Sequence, residues 1–214
     1  MDKLDIKIIR NFGPSVLKVK IPEKTVNHLN NYIDEIIKNK EKSKKQNAGT
    51  GLVGDVTQEI HIENKTIKES GFGDFLAMCA SKWIEIVAEK KITKFEIINS
   101  WVVRQFENEY NPTHWHSGHI SGAGFLKVPS TLGTHKQEKK DKVYRGGNLQ
   151  LIHGSKMFLC ASTLNIEPKV GDFYFFPNYM MHSVFPFKNS KEERRSISFN
   201  ANIDNEIYNV YGKN

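Results

Sequence analysis

The sequence between residues 110 and 128 reads Tyr110-Asn-Pro-Thr-His-Trp-His-Ser-Gly-His-Ile-Ser-Gly-Ala-Gly-Phe-Leu-Lys-Val128. It holds three of the chain's eight histidines, His114, His116 and His119. In an extended segment alternate side chains point to the same face, so His114 and His116 would lie about 6–7 Å apart on one side. Two imidazoles at this spacing can bind one metal ion. The alternative is a solvated pair of histidines on an edge strand.

A metal site at this pair needs a third ligand from elsewhere in the chain. The candidate is His182, in the segment Phe176-Pro-Asn-Tyr-Met-Met-His-Ser-Val-Phe-Pro-Phe187. Because His182 follows an apolar run that is typical of a strand, we expect it on a late strand that returns to the early pair.

Length and composition indicate one globular domain spanning 1–214, with 38% hydrophobic and 26% charged residues. The sequence has no apolar run near the ~18 residues that a membrane span needs. Two cysteines form no disulfide framework, and the start of the chain lacks an apolar signal segment, which favours a cytoplasmic location. Much of the net charge of +7 lies in Lys38–Lys45 and Lys136–Lys142, which we interpret as solvated loops rather than a nucleic-acid surface.

The order of predicted elements is helical first and β-rich later. Short strands are predicted over 5–9, 16–21 and 57–63. Apolar spacing predicts a helix over 24–40 and a second helix capped by Asp74, with a buried stripe at Phe75, Cys79, Trp83, Ile86 and Val87. From residue 94 the predicted strands are 95–106, 112–116, 120–128, 147–152, 157–162, 172–176, 182–186 and 194–202. We therefore expect a supporting part over 1–93 and a β core over 94–203, with the helices packed on one face of a barrel or sandwich.

Three later segments carry features that go beyond strand propensity. Arg145-Gly-Gly-Asn-Leu149 offers a tight turn or a close backbone approach before a strand. Val170-Gly-Asp-Phe-Tyr-Phe-Phe-Pro177 is a turn that leads into an apolar strand. In Glu193–Asn200, strand alternation places Arg194, Ser196, Ser198 and Asn200 on one face and Arg195, Ile197 and Phe199 on the other.

The order of these features resembles the iron(II)/2-oxoglutarate-dependent oxygenases. The resemblance is closer to a subfamily found in bacteria and tailed bacteriophages, which has an H-x-H pair followed by Ser-Gly and an aromatic-Leu strand. Here these are His114-Trp115-His116 and Ser121-Gly-Ala-Gly-Phe-Leu126. The subfamily also has a Gly-Asp…Phe-Pro…His-x-Val-x-Pro segment and an Arg-x-Ser strand, which correspond to Gly171–Pro186 and Arg194–Asn200.

The resemblance implies a mainly β (α+β) fold, a double-stranded β-helix of the jelly-roll type with N-terminal helices packed on one sheet. It implies that Fe(II) is held between the sheets by His114, His116 and His182, and that 2-oxoglutarate and O2 react there. It also implies that Arg194 and Ser196 bind the far carboxylate of 2-oxoglutarate. A guanidinium suits this role because it pairs with carboxylates in a bidentate way.

The sequence departs from the usual pattern of two histidines and one carboxylate. His116 stands where the carboxylate is expected, and no Asp or Glu lies between Tyr110 and Lys136. His119 is therefore an alternative ligand, with His114 or His116 then supporting it from outside the metal shell.

Three functions compete at this point. The first is a 2-oxoglutarate/Fe(II)-dependent dioxygenase that hydroxylates a protein prolyl group, a nucleobase or a small metabolite. The second is a non-catalytic, cupin-like metal-binding jelly roll with a three-histidine site. The third, less favoured, is a nucleic-acid-binding protein. The polar segment 129–145 is expected to be either a lid at the mouth of the site or an insertion without a role.

Overall fold

The computed structural model describes residues 13–137 and 141–209. The strand predicted over 5–9 lies outside them. In the described part the strands are β1 Leu17–Lys20, β2 Gln58–His61, β3 Phe95–Gln105, β4 Asn111–His114, β5 Ile120–Lys127, β6 Leu149–Ile152, β7 Thr163–Ile166, β8 Asp172–Pro177, β9 Met181–Val184 and β10 Arg194–Ile203. The helices are α1 Glu23–Lys38, α2 Lys40–Lys45, α3 Asn64–Glu69, α4 Phe72–Ala88 and α5 Asn205–Tyr208.

The strands form two antiparallel sheets. The larger has six strands in the order β1-β8-β5-β10-β3-β2, and the smaller has four in the order β4-β9-β6-β7. Strands that are distant in sequence lie side by side in both sheets. This arrangement is the predicted jelly roll, a double-stranded β-helix, with helices on one sheet.

Helices α1, α3 and α4 cover the outer face of the six-stranded sheet. Strand alternation separates two sets of aromatic side chains on β8. Phe173 and Phe175 join the core formed with α1 and α4, while Tyr174 and Phe176 join the core between the sheets. Each face of this strand is therefore buried, as a central strand of a layered fold requires.

The glycines of the Ser-Gly-Ala-Gly segment make room for this packing. A Cβ on Gly122 would lie 2.6 Å from Phe199 and 2.7 Å from Phe173, and one on Gly124 would also overlap Phe173. Real Cβ atoms do not approach other atoms so closely, so side chains at 122 and 124 would displace the aromatic core. The glycines thus let β5 lie under the helix-facing aromatic cluster.

Three predictions about secondary structure are wrong. Residues 157–162 form no strand; Met157 and Cys160 form an isolated bridge, and the strand begins at Thr163. Gly71, not Asp74, precedes α4 as its N-cap residue. The basic segment at 40–45 is a short helix rather than a loop.

The buried stripe of α4 is also shorter than predicted. Phe75, Cys79 and Trp83 are buried, but Ile86 and Val87 are exposed. The apolar period of the helix therefore continues for one turn beyond the residues that the core covers.

Candidate metal centre

Three histidines come together between the two sheets. His114 ends β4 and is paired with His182 of β9, while His116 follows two residues after His114. The potential ligand nitrogens of His114, His116 and His182 all lie within 4.8 Å of one another. The Nε2 atoms of His116 and His182 are 2.9 Å apart. Antiparallel pairing thus joins two segments that are far apart in sequence.

Backbone carbonyls fix the orientation of two of these rings. Nδ1 of His114 donates to the carbonyl of Pro112 at 2.7 Å, and Nδ1 of His182 donates to that of Met180 at 2.9 Å. With the proton on Nδ1, the lone pair of each ring is on Nε2 and is available to a metal.

The histidines are held in their neutral form. Burial, reinforced by the neighbouring imidazoles, lowers the pKa of His116 to about 3 and that of His182 to about 4, and burial lowers the pKa of His114. Neutral imidazoles suit both iron and zinc. The group contains no carboxylate, so a divalent ion there would keep its full positive charge until an anion binds.

His119 takes no part in this group. Its Nδ1 accepts a hydrogen bond from the backbone of Ile203 at 3.1 Å, and its ring stacks on Tyr208 with centroids 4.0 Å apart. The ring is therefore engaged at the end of β10.

Arg194 lies in the same cavity as the three histidines. The cavity has a volume of about 240 Å³ and is also lined by Ser196, Ser198 and Asn200, as strand alternation predicts. The Arg194 side chain is fully buried, and its Nε donates to the carbonyl of Gly147 at 2.9 Å. Gly147 has a φ of +73°, so the paired glycines form the turn that presents this carbonyl.

The guanidinium of Arg194 has no acidic partner among the described residues. Its remaining contacts are a hydrogen bond from Nη1 to Ser196 Oγ at 3.4 Å and the ring of Phe125 at 5.1 Å. Burial lowers its pKa to about 9, so it stays charged at neutral pH. A buried, charged guanidinium facing a cavity is a site for an anion, and a carboxylate fits its donor geometry.

The sequence reasoning missed one side of the cavity. Glu59 of β2, Asn99 of β3 and Asn111 of β4 line it, together with Gly51 to Val53. Glu59 is only 4% exposed, and burial raises its pKa to about 7. The sequence gives no sign that Glu59 is buried, because an acidic residue in a strand is usually expected to face solvent. Its burial depends on how β2 is placed in the folded chain.

The polar segment 129–145 does not line this cavity in its described part. Residues on both sides of 138–140 line two other clefts instead. Leu132 lies against Gly147, so the segment reaches the turn behind Arg194.

Comparisons with known proteins agree with this geometry. Residues 99–200 match a family model described as "Putative 2OG-Fe(II) oxygenase". This range, a little under half of the chain, is therefore similar in sequence to that family. It holds the three histidines and the Arg194 strand, which supports the predicted Fe(II) and 2-oxoglutarate. No curated protein sequence matches the chain.

Solved structures share the fold at low sequence identity. A prolyl-4-hydroxylase from Pseudomonas putida is 15% identical with a TM-score of 0.56, over 89% of this chain and 93% of the other. The viral collagen prolyl hydroxylase of Paramecium Bursaria Chlorella virus-1, solved as a 2OG complex, is 15% identical with a TM-score of 0.52, over 87% and 94%. The epimerase SnoN from nogalamycin biosynthesis, in complex with Fe3+ and alpha ketoglutarate, is 13% identical with a TM-score of 0.56, over 89% and 79%.

None of the helices in the described part of the chain combines the length and apolar character that a bilayer crossing requires.

Proposed function

We propose that the protein is a 2-oxoglutarate/Fe(II)-dependent dioxygenase that hydroxylates a C–H bond. The observation that carries this is the pairing, in one cavity, of a three-histidine group with a buried arginine that has no acidic partner in the described part of the chain. A co-substrate with a chelating keto acid at one end and a carboxylate at the other satisfies both groups.

His114, His116 and His182 would hold Fe(II) through Nε2, and Arg194 with Ser196 would hold the far carboxylate of 2-oxoglutarate. Bound together, Fe(II) and 2-oxoglutarate supply the activation of O2 that C–H hydroxylation needs. The chain's own work is to keep the imidazoles neutral, to fix two of them by the carbonyls of Pro112 and Met180, and to exclude bulk water between the sheets.

The three-histidine set fits this role in terms of charge. Three neutral ligands leave Fe(II) with two positive charges, and the dianionic co-substrate would neutralise them. Arg194 adds a third positive charge at the other end of the same cavity. An anion therefore binds here more favourably than at a site that already contains a carboxylate ligand.

The second candidate is a non-catalytic, cupin-like metal site, for example for zinc. The lack of a carboxylate in the histidine group favours it. Arg194 argues against it, because a pure metal-binding module has no use for a buried, unpaired cation.

A prolyl group, a nucleobase and a small metabolite remain candidate substrates. Two of the solved neighbours are named as prolyl hydroxylases and one as an epimerase, which supports the first and third classes. Membership of the H-x-H subfamily, the division at residue 93 and a cytoplasmic location stay predictions.

Anaerobic titration tests the proposal. Fe(II) is added with and without 2-oxoglutarate, and the visible charge-transfer absorption of a chelated keto acid is followed. The band is expected in the wild-type protein and absent in His182→Ala, which should also lose most bound iron by elemental analysis. Iron binding without any band would favour the cupin-like alternative, and full iron occupancy in His182→Ala would contradict the ligand set.

A further inference from the structure

The wall of the cavity formed by β2, β3 and β4 holds acceptor groups that no described residue satisfies. Oδ1 of Asn99 and Oδ1 of Asn111 are buried without a hydrogen-bond partner among the described residues. The carboxyl of Glu59 lies beside Asn111 and has no ion-pair partner in the same part of the chain. Buried polar groups are nearly always hydrogen-bonded, so this wall lacks donors that a ligand can bring.

Gly54 keeps Glu59 and Asn111 together. A Cβ at position 54 would lie 2.8 Å from Oε1 of Glu59 and would overlap Oδ1 of Asn111. Two oxygen acceptors therefore converge over a residue without a side chain. An added methyl group at residue 54 would occupy the space that they share.

The acceptor pair is separate from the arginine. Glu59 is paired in register with Val103, and Val103 is paired with Ser196. The Cα atoms of Glu59 and Ser196 are therefore two strand spacings apart, a total of roughly 10 Å. One side of the cavity thus carries a buried cation and the other a buried acid. A co-substrate anion bound to Arg194 would leave the acidic side free for a second molecule.

The aromatic side chains near this wall also favour positive charge. Trp101 and Trp115 line the cavity, and aromatic faces attract cations. Burial raises the pKa of Glu59, and no cation among the described residues pairs with it. A cationic ligand would supply a counter-charge and favour the ionised carboxylate.

We propose that Glu59 and Asn111 form the subsite for a protonated nitrogen group, an ammonium or a guanidinium, of the substrate that is oxidised at the three-histidine centre. This rests on the proposed function, since it names the class of its substrate. The carboxylate accepts a charged N–H and Asn111 Oδ1 accepts a second one. These residues would fix which part of the substrate faces the metal.

The first test compares two small probes of nearly equal shape, methylguanidinium and the uncharged methylurea. Fe(II)-loaded protein is titrated anaerobically with each probe, and binding is followed by the fluorescence of the cavity tryptophans. The wild-type protein should bind methylguanidinium at least ~10-fold more tightly, because hydrogen bonds to charged groups are the stronger ones. Equal affinities for the two probes would overturn the proposal.

Glu59→Gln keeps the shape of the side chain and removes its charge, so the preference should fall to about one. Glu63→Gln is the matched control, because Glu63 is an exposed acid four residues away. A preference that survives in Glu59→Gln, or that is lost equally in Glu63→Gln, would contradict the assignment.

Gly54→Ala gives a second test that leaves the charge in place. The new methyl group should block the probe and weaken methylguanidinium binding by at least ~10-fold. Glu63→Gln is again the control, since Glu63 is exposed and does not line the cavity. Unchanged binding in Gly54→Ala would exclude a site between Glu59 and Asn111.

A separate measurement tests the proposed oxygenase function. Each titration is run with and without 2-oxoglutarate, and 2-oxoglutarate binding is followed by its charge-transfer absorption. Failure of 2-oxoglutarate to bind the wild-type protein would contradict the proposed function, while the probe preference still reports on the subsite. Loss of the preference with normal 2-oxoglutarate binding would contradict the subsite alone.

Discussion

Arg194 and Arg195 are adjacent on β10, and both are completely buried, yet their surroundings are opposite. Arg195 faces the helices, where its guanidinium bonds to both carboxylate oxygens of Glu193 at 2.7 and 3.0 Å and to Asp34 at 2.7 Å. Asn30 on α1 accepts two further bonds from it. Arg194 faces the cavity and finds one carbonyl and one hydroxyl.

The difference separates a structural charge from a binding charge. The partners of Arg195 come from α1 and from Glu193, the residue before β10, so its ion pair with Asp34 ties α1 to the sheet. No acid among the described residues pairs with Arg194, so one carbonyl, one hydroxyl and the Phe125 ring offset only part of the cost of burying its charge, and an anionic ligand would offset the rest. Glu59 is the acidic counterpart of Arg194 on the other side of the cavity. Three substitutions and one loop replacement test this distinction.

Of these changes, Arg195→Ala should have the largest effect, and that effect should be on the stability of the fold. It removes a buried cation and leaves Glu193 and Asp34 with fewer partners, so the free energy of unfolding should fall by about 3 kcal/mol. Urea denaturation measures this. Affinity for 2-oxoglutarate should change by less than about 2-fold, and a large loss of that affinity would mean that the two faces of β10 are assigned wrongly.

Arg194→Ala should act on binding instead. Removing the charged partner of a buried carboxylate costs roughly 2–5 kcal/mol, so the affinity for 2-oxoglutarate should drop at least ~30-fold. Metal binding should stay nearly intact, because Arg194 is not one of the candidate metal ligands. Calorimetry of 2-oxoglutarate binding and elemental analysis check the two parts, and coincident loss of both would indicate general unfolding.

Glu59→Gln should change the pH dependence of stability. The pKa of Glu59 rises from 4.5 to about 7 on folding, so the folded wild-type chain holds a proton that the unfolded chain loses between these values. Wild-type stability therefore falls as pH rises from about 4.5 to 7, while the variant lacks this loss. At pH 8 the variant should be more stable by about 1–2 kcal/mol, since water in the open cavity reduces the full penalty.

Urea denaturation of the wild-type protein and Glu59→Gln at pH 4 and pH 8 measures this effect. The two proteins should have the same free energy of unfolding at pH 4, and the variant should show its full advantage at pH 8. Glu63→Gln again serves as the control, and it should show no such change. An advantage of Glu59→Gln that is equal at both pH values would indicate a packing effect rather than the ionisation of a buried acid.

Replacing 134–142 with a short Gly-Ser linker should have the smallest effect on the arginine pocket. The described part of this segment does not line the cavity, so 2-oxoglutarate affinity should stay within about 2-fold. If the segment is a lid, hydroxylation should fall while uncoupled 2-oxoglutarate turnover persists. Unchanged hydroxylation would leave it an insertion without a role.

The local pattern of the sequence was enough to predict which side of β10 faces the cavity. Period-two alternation separates Arg194 and Ser196 from Ile197 and Phe199 wherever the strand lies in the fold. The same period indicated most strands of the core. It failed at 157–162 because an apolar run gives the same signal whether it is paired or sits exposed at the end of a hairpin.

Only the tertiary structure decided which distant residues meet. The antiparallel pairing of His114 with His182 brings two nitrogen ligands together, and sequence spacing alone does not specify such pairings. Burial of Glu59 likewise depends on β2 joining the edge of a sheet whose other strands come later in the chain. Alternation is a property of neighbouring residues and is written in the sequence. Contact and burial depend on long-range strand pairing, so they exist only in the folded chain.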